Sequence, residues 1–259
     1  MRLLKIFKSL LLNTLFPPVC VSCKNEGDFL CADCLKSLDK KKIHPTYRRT
    51  EKDPDFYYLD GLIYGLDYAK NPTIKAAIKQ LKYKFTQDLA QHFSDIIAEK
   101  IGELNMVKDK KIILIPVPLH KKRLNYRGFN QAEIIARAVA SQFSDDQIEV
   151  VELLERIRHT DQQAKLNKKE RHKNLDGAFS IKFDCHPKLD SGSITLAGIL
   201  DSRLRGNGKE KVEMKNKNTI YFIVDDVCTT GSTLEECAEV LKNNGIKKVY
   251  GLVIARAFK

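Results

Sequence analysis

The residues in this sequence that are best suited to chemistry are two adjacent carboxylates and the short run of hydroxyl side chains after them. Asp225 and Asp226 follow the apolar run "TIYFIV", and residues 229–233 read "TTGST". A hydroxyl-rich turn that opens a helix can bind an anion, because backbone N–H groups and the positive end of the helix dipole meet there. Carboxylates accept hydrogen bonds from hydroxyl groups. The two features together predict a site for a ligand that carries a phosphate beside a diol, as ribose 5-phosphate does.

The alternative interpretation of this stretch is purely structural. Two aspartates can simply cap a turn, and threonines are common where a helix begins. We favour a binding site because both acids and the hydroxyl run follow one apolar strand. The run lacks the lysine of a P-loop, and the sequence has no G-x-G-x-x-G pattern. Neither a nucleoside triphosphatase nor a dinucleotide site is therefore expected.

Four of the seven cysteines form two C-x-x-C pairs near the start of the sequence. A two-residue spacer lets both thiolates of a pair face one ion, and two pairs complete a closed tetrahedral site of the structural zinc type. The intervening "KNEGDFL" predicts a small hairpin that turns at Gly27. Disulfides and an iron–sulfur cluster are the alternatives, and a reducing cytosol argues against disulfides. The predicted zinc ligands are Cys20, Cys23, Cys31 and Cys34, whereas Cys185, Cys228 and Cys237 are expected to be free thiols.

The elements that must position these groups alternate between strands and helices. The apolar runs at 111–118 and 219–227 are typical of strands buried on both faces, and 247–257 predicts a further strand. Such alternation predicts an α/β fold with a mostly parallel sheet, whose ligands bind beyond the carboxyl ends of the strands. A strand or hairpin is expected at 59–70, and 148–157 is ambiguous between strand and helix, although its β-branched start favours a strand. Helices are expected from Pro72 onward, at about 87–104, at 131–143 after an Asn130 N-cap, and at about 233–243 before Gly245.

Three stretches are expected to lie outside this sheet. Leucines in residues 3–15 recur at helical spacing and predict an amphipathic helix, whose docking on the protein is favoured over binding to a membrane surface. Residues 39–54 are polar and basic and predict a linker. Residues 185–218 have no sustained period and predict a surface insertion, with an arm that binds nucleic acid as the alternative. We therefore divide the chain into a metal-binding part, 1–54, and an α/β domain, 55–259.

The charge of the chain narrows the class of partner. The formal net charge is +12, which favours phosphorylated small molecules, nucleic acid or an anionic membrane surface. No segment approaches the roughly 18 consecutive apolar residues of a membrane span. The basic start is not followed by a small-residue cleavage site. We expect a soluble cytoplasmic protein.

Several motifs in a fixed order give the sequence a family resemblance. "VDDVCTTGST" resembles the signature that binds 5-phosphoribosyl 1-pyrophosphate in type I phosphoribosyltransferases, and nearly the whole chain resembles the ComF family of that superfamily. The resemblance implies a mostly parallel sheet flanked by helices, a small four-cysteine zinc module, and Mg²⁺-dependent transfer of a phosphoribosyl group to an acceptor that the sequence does not identify. Besides the paired cysteines, the matching pieces are "LKYK" at Leu81, "PVPLHKKRLNYRGFNQ" at Pro116 and "RIRHTDQQAKLNKKERHKNLDGAF" at Arg156.

The same resemblance implies roles for individual residues. Asp225 and Asp226 would accept hydrogen bonds from the ribose hydroxyls, and Mg²⁺ would bridge pyrophosphate and ribose oxygens. Arg158, Gln163 and Arg171 are the candidates in a loop at 156–179 that would close over the site. The residues expected around the 5-phosphate are Thr229, Thr230, Gly231, Ser232 and Thr233. Those expected beside the pyrophosphate, with the backbone that follows the strand at 112–117, are Lys121, Lys122, Arg123 and Arg127.

A second function is also implied by this resemblance, because ComF-like proteins are associated with natural competence. In that case the chain would assist DNA uptake, with single-stranded DNA and competence helicase-type proteins as partners. The zinc module, the positive charge and exposed Tyr47, Tyr57 and Tyr58 would form a groove for the strand. The predicted ligand site would then sense a phosphoribosyl ligand without turning it over. An oligomer is compatible with either function.

Overall fold

The computed structural model describes residues 17–38, 56–69, 71–83, 87–104, 107–144, 146–158, 177–182 and 219–257. The helix expected at 3–15, the linker at 39–54 and the insertion at 185–218 lie outside the described residues. Four single residues named in the predictions above also lie outside them, namely Tyr47, Gln163, Arg171 and Cys185.

A five-stranded parallel sheet forms the centre of the described chain. The strands in the described ranges are β1 (Gly61–Asp67), β2 (Lys111–Pro116), β3 (Ile148–Val150), β4 (Leu154–Arg156), β5 (Phe179–Ile181), β6 (Thr219–Cys228) and β7 (Val249–Arg256). Their order in the main sheet is β1-β7-β6-β2-β3, and every neighbouring pair is parallel. The prediction of an α/β fold with a mostly parallel sheet is confirmed.

Helices cover both faces of this sheet. Those in the described ranges are α1 (Ala32–Lys36), α2 (Pro72–Tyr83), α3 (Gln87–Gly102), α4 (Lys121–Arg127), α5 (Gln131–Ala140) and α6 (Ser232–Asn243). Asn130 caps the start of α5 as predicted, because its side chain accepts a hydrogen bond from the Ala132 N–H. Asn71 does the same at the start of α2, where it accepts from the Ile74 N–H. Gly245, with φ of 98°, follows the end of α6.

The structure shows the secondary structure of two stretches that was ambiguous in the sequence. Residues 59–70 contain one edge strand, β1, which pairs in parallel with β7 rather than folding back as a hairpin. Residues 148–157 are extended but serve two sheets: β3 joins the main sheet, and β4 pairs antiparallel with β5. The change of sheet occurs at 151–153, where the Val151 N–H still donates to Leu114 and the Leu153 N–H donates to Val151.

Side chains on alternate strand positions divide the core into two clusters. Ile112, Leu114 and Phe222 face α2, α3 and α5, whereas Ile113 and Ile223 face α6, β4 and β5. The residues around the paired cysteines belong to the first cluster, because Cys20 and Leu30 are fully buried within it. The cysteine segment therefore packs on the helices of the sheet instead of having a core of its own.

None of the helices in the described ranges has the length and the apolar character that a membrane span requires.

Candidate ligand cleft and metal centre

A cleft of about 350 Å³ opens where β2 and β6 end and α4 and α6 begin. This is the carboxyl edge of the parallel sheet, where ligands of open α/β folds bind. Asp225 and Asp226 line it together with all five residues of the 229–233 turn. The structure thus brings together the two features that the sequence singled out for one ligand.

The two aspartates lie on opposite faces of β6, because side chains alternate along a strand. Asp226 shares the face of Phe222 and is 3% exposed, whereas Asp225 shares the face of Ile223 and is half-buried. The Asp226 N–H donates to Asp225 Oδ1 at 2.8 Å. Burial, with a smaller contribution from the charge of Asp226, raises the pKa of Asp225 to about 7.

The turn at 229–233 presents the amino end of α6 to the cleft. Gly231 is the N-cap, with φ of 81°, and it has no side chain that could cap α6. The hydroxyls of Thr230 and Ser232 lie 2.6 Å apart and both line the cleft. Backbone N–H groups, two hydroxyls and the helix dipole thus face the same space, which suits a phosphate.

A short segment at 56–60, here called the strap, supports this turn from behind. Phe56 is 4% exposed, and one of its ring atoms occupies the position that a Cβ on Gly231 would need. Glu235 in α6 fixes the strap, since its carboxylate accepts from the N–H groups of Tyr57 at 2.6 Å, Tyr58 at 2.9 Å and Leu59 at 2.8 Å. The sequence indicated neither Phe56 nor Glu235, because their contact joins distant parts of the chain.

The cations expected beside the pyrophosphate separate into two groups on α4. Arg123 and Arg127 line the cleft. Lys121 and Lys122 are exposed on the same helix and are not part of the cleft lining. Arg158 is exposed and also lies outside that lining, while Gln163 and Arg171 fall outside the described residues.

Two further cations line the cleft, and sequence reasoning gave neither of them a role. The Nζ of Lys82, from α2, lies 2.9 Å from Asp226 Oδ2. Burial lowers the pKa of Lys82, but this effect is outweighed by Asp226, and the net pKa is raised. The guanidinium of Arg156, from β4, lies 5.2 Å from the ring centre of Phe179, and its pKa is lowered by burial and by Arg123. Lys82 and Arg156 belong to "LKYK" and "RIRHT", which are parts of the sequence that resemble the ComF family. This resemblance was the one signal in the sequence that could have identified them.

The four predicted cysteine ligands converge on one point. Their Sγ atoms all lie within 4.8 Å of one another, and the Sγ atoms of Cys23 and Cys31 are 3.6 Å apart. Sulfurs around a tetrahedral zinc with bonds of about 2.3 Å would be separated by about 3.8 Å, so the geometry fits a bound metal ion. A hairpin is present, but it does not turn at Gly27 as predicted: an antiparallel bridge joins Val19 and Glu26, so the chain turns at 20–25, and Gly27, with φ of 118°, lies just beyond the bridge.

Hydrogen bonds act in opposite directions on two of the cysteines. A backbone hydrogen bond from Asn25 lowers the pKa of Cys23, but burial and side-chain hydrogen bonds with the other three cysteines outweigh it and raise this pKa to about 12. Burial raises the pKa of Cys20, but backbone N–H groups including that of Cys31 outweigh it and lower this pKa to about 6. The segment is also tied to the helices beside it. Ser22 Oγ lies 2.9 Å from Thr73 Oγ1 at the start of α2, and Asp28 Oδ2 lies 3.0 Å from His92 Nε2 in α3.

The chain is similar to known proteins over most of its length. The chain is 26% identical over 246 residues to Competence protein F of Haemophilus influenzae, covering 93% of this chain and 85% of that protein. It is 27% identical over 234 residues to the DNA utilization protein YhgH of Escherichia coli O157:H7, covering 89% and 86%. Competence protein ComFC of Bacillus subtilis is 23% identical over 178 residues, covering 69% and 57%. The resemblance to the ComF family is confirmed.

The family model for the phosphoribosyl transferase domain matches residues 124–257. This range contains Arg127, Arg156, both aspartates and the turn at 229–233. It is more than half of the chain. The chain belongs to the phosphoribosyl transferase domain family.

Proposed function

We propose that the cleft binds 5-phosphoribosyl 1-pyrophosphate together with Mg²⁺ and that the chain transfers the phosphoribosyl group to a nitrogen acceptor in nucleotide or nucleoside metabolism. The observation that carries this proposal is the set of groups that line the cleft. It combines an open helix start, two carboxylates and the cations Lys82, Arg123, Arg127 and Arg156 at one edge of the sheet. A ligand with a phosphate at one end, hydroxyls in the middle and a pyrophosphate at the other end would meet complementary groups along its whole length.

Each part of this ligand has a proposed place. The 5-phosphate would accept hydrogen bonds from the turn at 229–233, and the ribose hydroxyls would donate to Asp225 and Asp226. The pyrophosphate would lie beside Arg123 and Arg127. Mg²⁺ bound with the ligand would supply positive charge that offsets the charge of the pyrophosphate, and we assign it no protein carboxylate because Mg²⁺ in such sites usually keeps several waters.

The proposed reaction is a displacement at C1 of the ribose. The bond from C1 to the pyrophosphate oxygen breaks and the pyrophosphate leaves with that electron pair, while a bond from C1 to the acceptor nitrogen forms. The nitrogen then loses a proton. Arg123 and Arg127 would stabilise the charge that develops on the pyrophosphate. From the family resemblance we also propose that the loop with Arg158, Gln163 and Arg171 closes over the site and excludes water.

The test of this function is binding and turnover of the intact chain. Titration calorimetry with Mg²⁺ should detect 5-phosphoribosyl 1-pyrophosphate, and Asp225→Asn with Asp226→Asn should weaken binding by about 100-fold or more, because two charge-assisted hydrogen bonds are lost. Glu133→Gln is the matched control, since Glu133 pairs with Arg137 on α5 and does not line the cleft. Pyrophosphate release in a screen of nucleobases and amines would then identify the acceptor. An unaffected double variant, or a wild-type chain that does not bind the ligand, would contradict the proposal.

For the metal centre we propose a structural zinc ion on Cys20, Cys23, Cys31 and Cys34. Four thiolates leave no open coordination position, which is typical of a structural rather than a catalytic site. We keep the division between residues 1–54 and 55–259 as a proposal for the domain boundary. Elemental analysis of the freshly purified chain should find about one zinc per chain.

A second candidate function is binding of single-stranded DNA during uptake, and two observations favour it. Of the three similar proteins described above, two are named for competence and the third for DNA utilization. In addition, four of the seven residues of α4 are cationic, and none is buried. Of the tyrosines predicted to be exposed, Tyr57 is 67% exposed, whereas Tyr58 is partly buried and its hydroxyl donates to Glu239 at 2.7 Å. Tyr126 on α4 is 87% exposed and lines the cleft, so we propose it as a further aromatic contact for the strand. We propose cytoplasmic action and helicase-type competence partners for this function as well.

A further inference from the structure

Lys82 connects the ligand cleft to a helix that the proposed reaction does not otherwise use. It lies in the last turn of α2, and its ammonium contacts Asp226 at 2.9 Å. The helix itself is fixed, because Ile74, Ile78 and Leu81 are buried in the first core cluster. The ammonium therefore reaches the carboxylate from a rigid support.

The groups around the aspartate pair come from several elements. Besides Lys82, they are Tyr68 after β1, Arg156 from β4, and Cys237 from α6, which is neutral at neutral pH because burial raises the pKa of its thiol. Arg156 acts on Asp225 and lies beside Phe179, while Lys82 forms the ion pair with Asp226. Lys82 thus supplies the positive charge in direct contact with the more buried of the two carboxylates.

Two adjacent carboxylates at a half-buried site are costly when both are ionised, because each disfavours the charge of the other and water is partly excluded. Asp226 is nearly fully buried, so its charge requires a partner within contact distance. A protonated aspartate would be a donor rather than an acceptor at one oxygen, and it would bind a ribose hydroxyl less well. Lys82 also opposes the rise in the pKa of Asp225 that burial and Asp226 produce.

We propose that Lys82 is a positioning residue for this site, whose ammonium holds the Asp226 carboxylate toward the cleft and keeps both aspartates available as acceptors for the ligand's hydroxyls. The proposal rests on the proposed function for its ligand, but the charge of the aspartate pair can be measured without any ligand. It also gives the otherwise unused "LKYK" motif a physical role.

The rival role for Lys82 is direct contact with the pyrophosphate, since its side chain is 32% exposed and lines the cleft. The two roles differ in their dependence on pH. A lost contact with pyrophosphate weakens binding by a similar factor wherever the ligand's charge is the same. A lost partner for the aspartate pair weakens binding most at low pH and little once Asp225 is ionised.

The test compares binding of 5-phosphoribosyl 1-pyrophosphate with Mg²⁺ across pH in wild type, Lys82→Met and Lys82→Arg. Wild-type binding should weaken below about pH 7, and in Lys82→Met this decline should move upward by about one pH unit or more, which is about tenfold in affinity on the acid side. Affinity should approach that of wild type at high pH. Lys82→Arg keeps the charge and should restore most of the profile. The ligand's own phosphate titration is common to all variants and cancels in the comparison.

A ligand-free measurement separates this proposal from the proposed function. Carbon-detected NMR titration of the side-chain carboxyls should show a higher pKa for Asp225 in Lys82→Met than in wild type, and a nearly unchanged one in Lys82→Arg. Lys82→Gln is a second neutral variant in case Lys82→Met does not fold. An unchanged Asp225 titration in the neutral variants, or a loss of binding by one constant factor at every pH, would overturn the role of Lys82. If the wild-type chain fails to bind the ligand, the proposed function fails while the NMR result still decides the role of Lys82.

Discussion

Gly231 is the residue at which the shape of the proposed phosphate site at 229–233 can be tested most directly. Its φ of 81° disfavours any side chain, and Phe56 fills the place of its missing Cβ. Gly231→Ala should therefore lose about 1–3 kcal/mol of stability and also weaken phosphate binding, because Phe56 or the turn must move. Thermal unfolding and calorimetry with inorganic phosphate measure the two effects.

Gly245→Ala is the matched control for this change. Gly245 also has a positive φ, of 98°, but an added Cβ would meet nothing within 4 Å. It should lose stability through backbone strain alone and keep its affinity for phosphate. Equal losses of phosphate binding in both variants would contradict a specific role for the contact between Gly231 and Phe56.

At the scale of residues, local features were predictable and distant contacts were not. Asp225, Asp226 and the turn at 229–233 are adjacent in the sequence, so one strand and one helix start suffice to place them. Lys82 reaches the same cleft only because α2 packs on the sheet beside β6. Nothing in the spacing of "LKYK" relates it to an aspartate pair that lies far along the chain.

At the scale of elements, α2 makes contact with both functional regions of the molecule. Its first turn meets the cysteine segment through Thr73 and Ser22, and its last turn meets Asp226 through Lys82. A helix that is anchored at both ends should respond along its whole length when one anchor is lost. The state of the metal centre is therefore expected to affect the ligand cleft.

Removal of the metal tests this expectation. A chelator, or Cys23→Ser, should lower the melting temperature and increase hydrogen exchange along α2, including the last turn that carries Lys82, more than in α6, since α6 packs on the opposite face of the sheet. Ser22→Ala is the matched control, because it removes the neighbouring hydrogen bond and keeps all four thiolates. Metal removal that leaves exchange in α2 unchanged would contradict the expected coupling.

Secondary structure could be predicted where burial imposes a clear period. β6 is apolar along most of its length because both of its faces are covered, and α5 has a capping residue at its start. Residues 148–157 were ambiguous because the chain leaves one sheet and enters another within ten residues, and the partner strand β5 lies beyond a long intervening segment. The passage from one sheet to the other depends on which strands pair in the folded chain, and the spacing of apolar residues does not indicate this.

At the scale of the whole molecule, the excess positive charge leads to a prediction about polyanions. The formal net charge is +12, and Lys121 and Lys122 are exposed on α4 without an ion pair to any carboxylate in the described ranges. If single-stranded DNA follows α4 toward the cleft, its affinity should fall steeply with salt, because each phosphate contact releases counterions. Lys121→Gln with Lys122→Gln should then reduce the salt slope by about one per lost contact.

Fluorescence anisotropy with an oligothymidylate at several salt concentrations measures this slope. Lys247→Gln with Lys248→Gln is the matched control: these lysines are also adjacent and exposed, but they precede β7 at the amino edge of the sheet, opposite the cleft. Both double variants remove the same charge, so a general electrostatic attraction would weaken equally in the two. A reduction confined to the α4 variant would place the strand beside the cleft, because there the lost lysines act through specific phosphate contacts. Equal reductions, or an affinity that does not respond to salt, would exclude α4 as the DNA-binding surface.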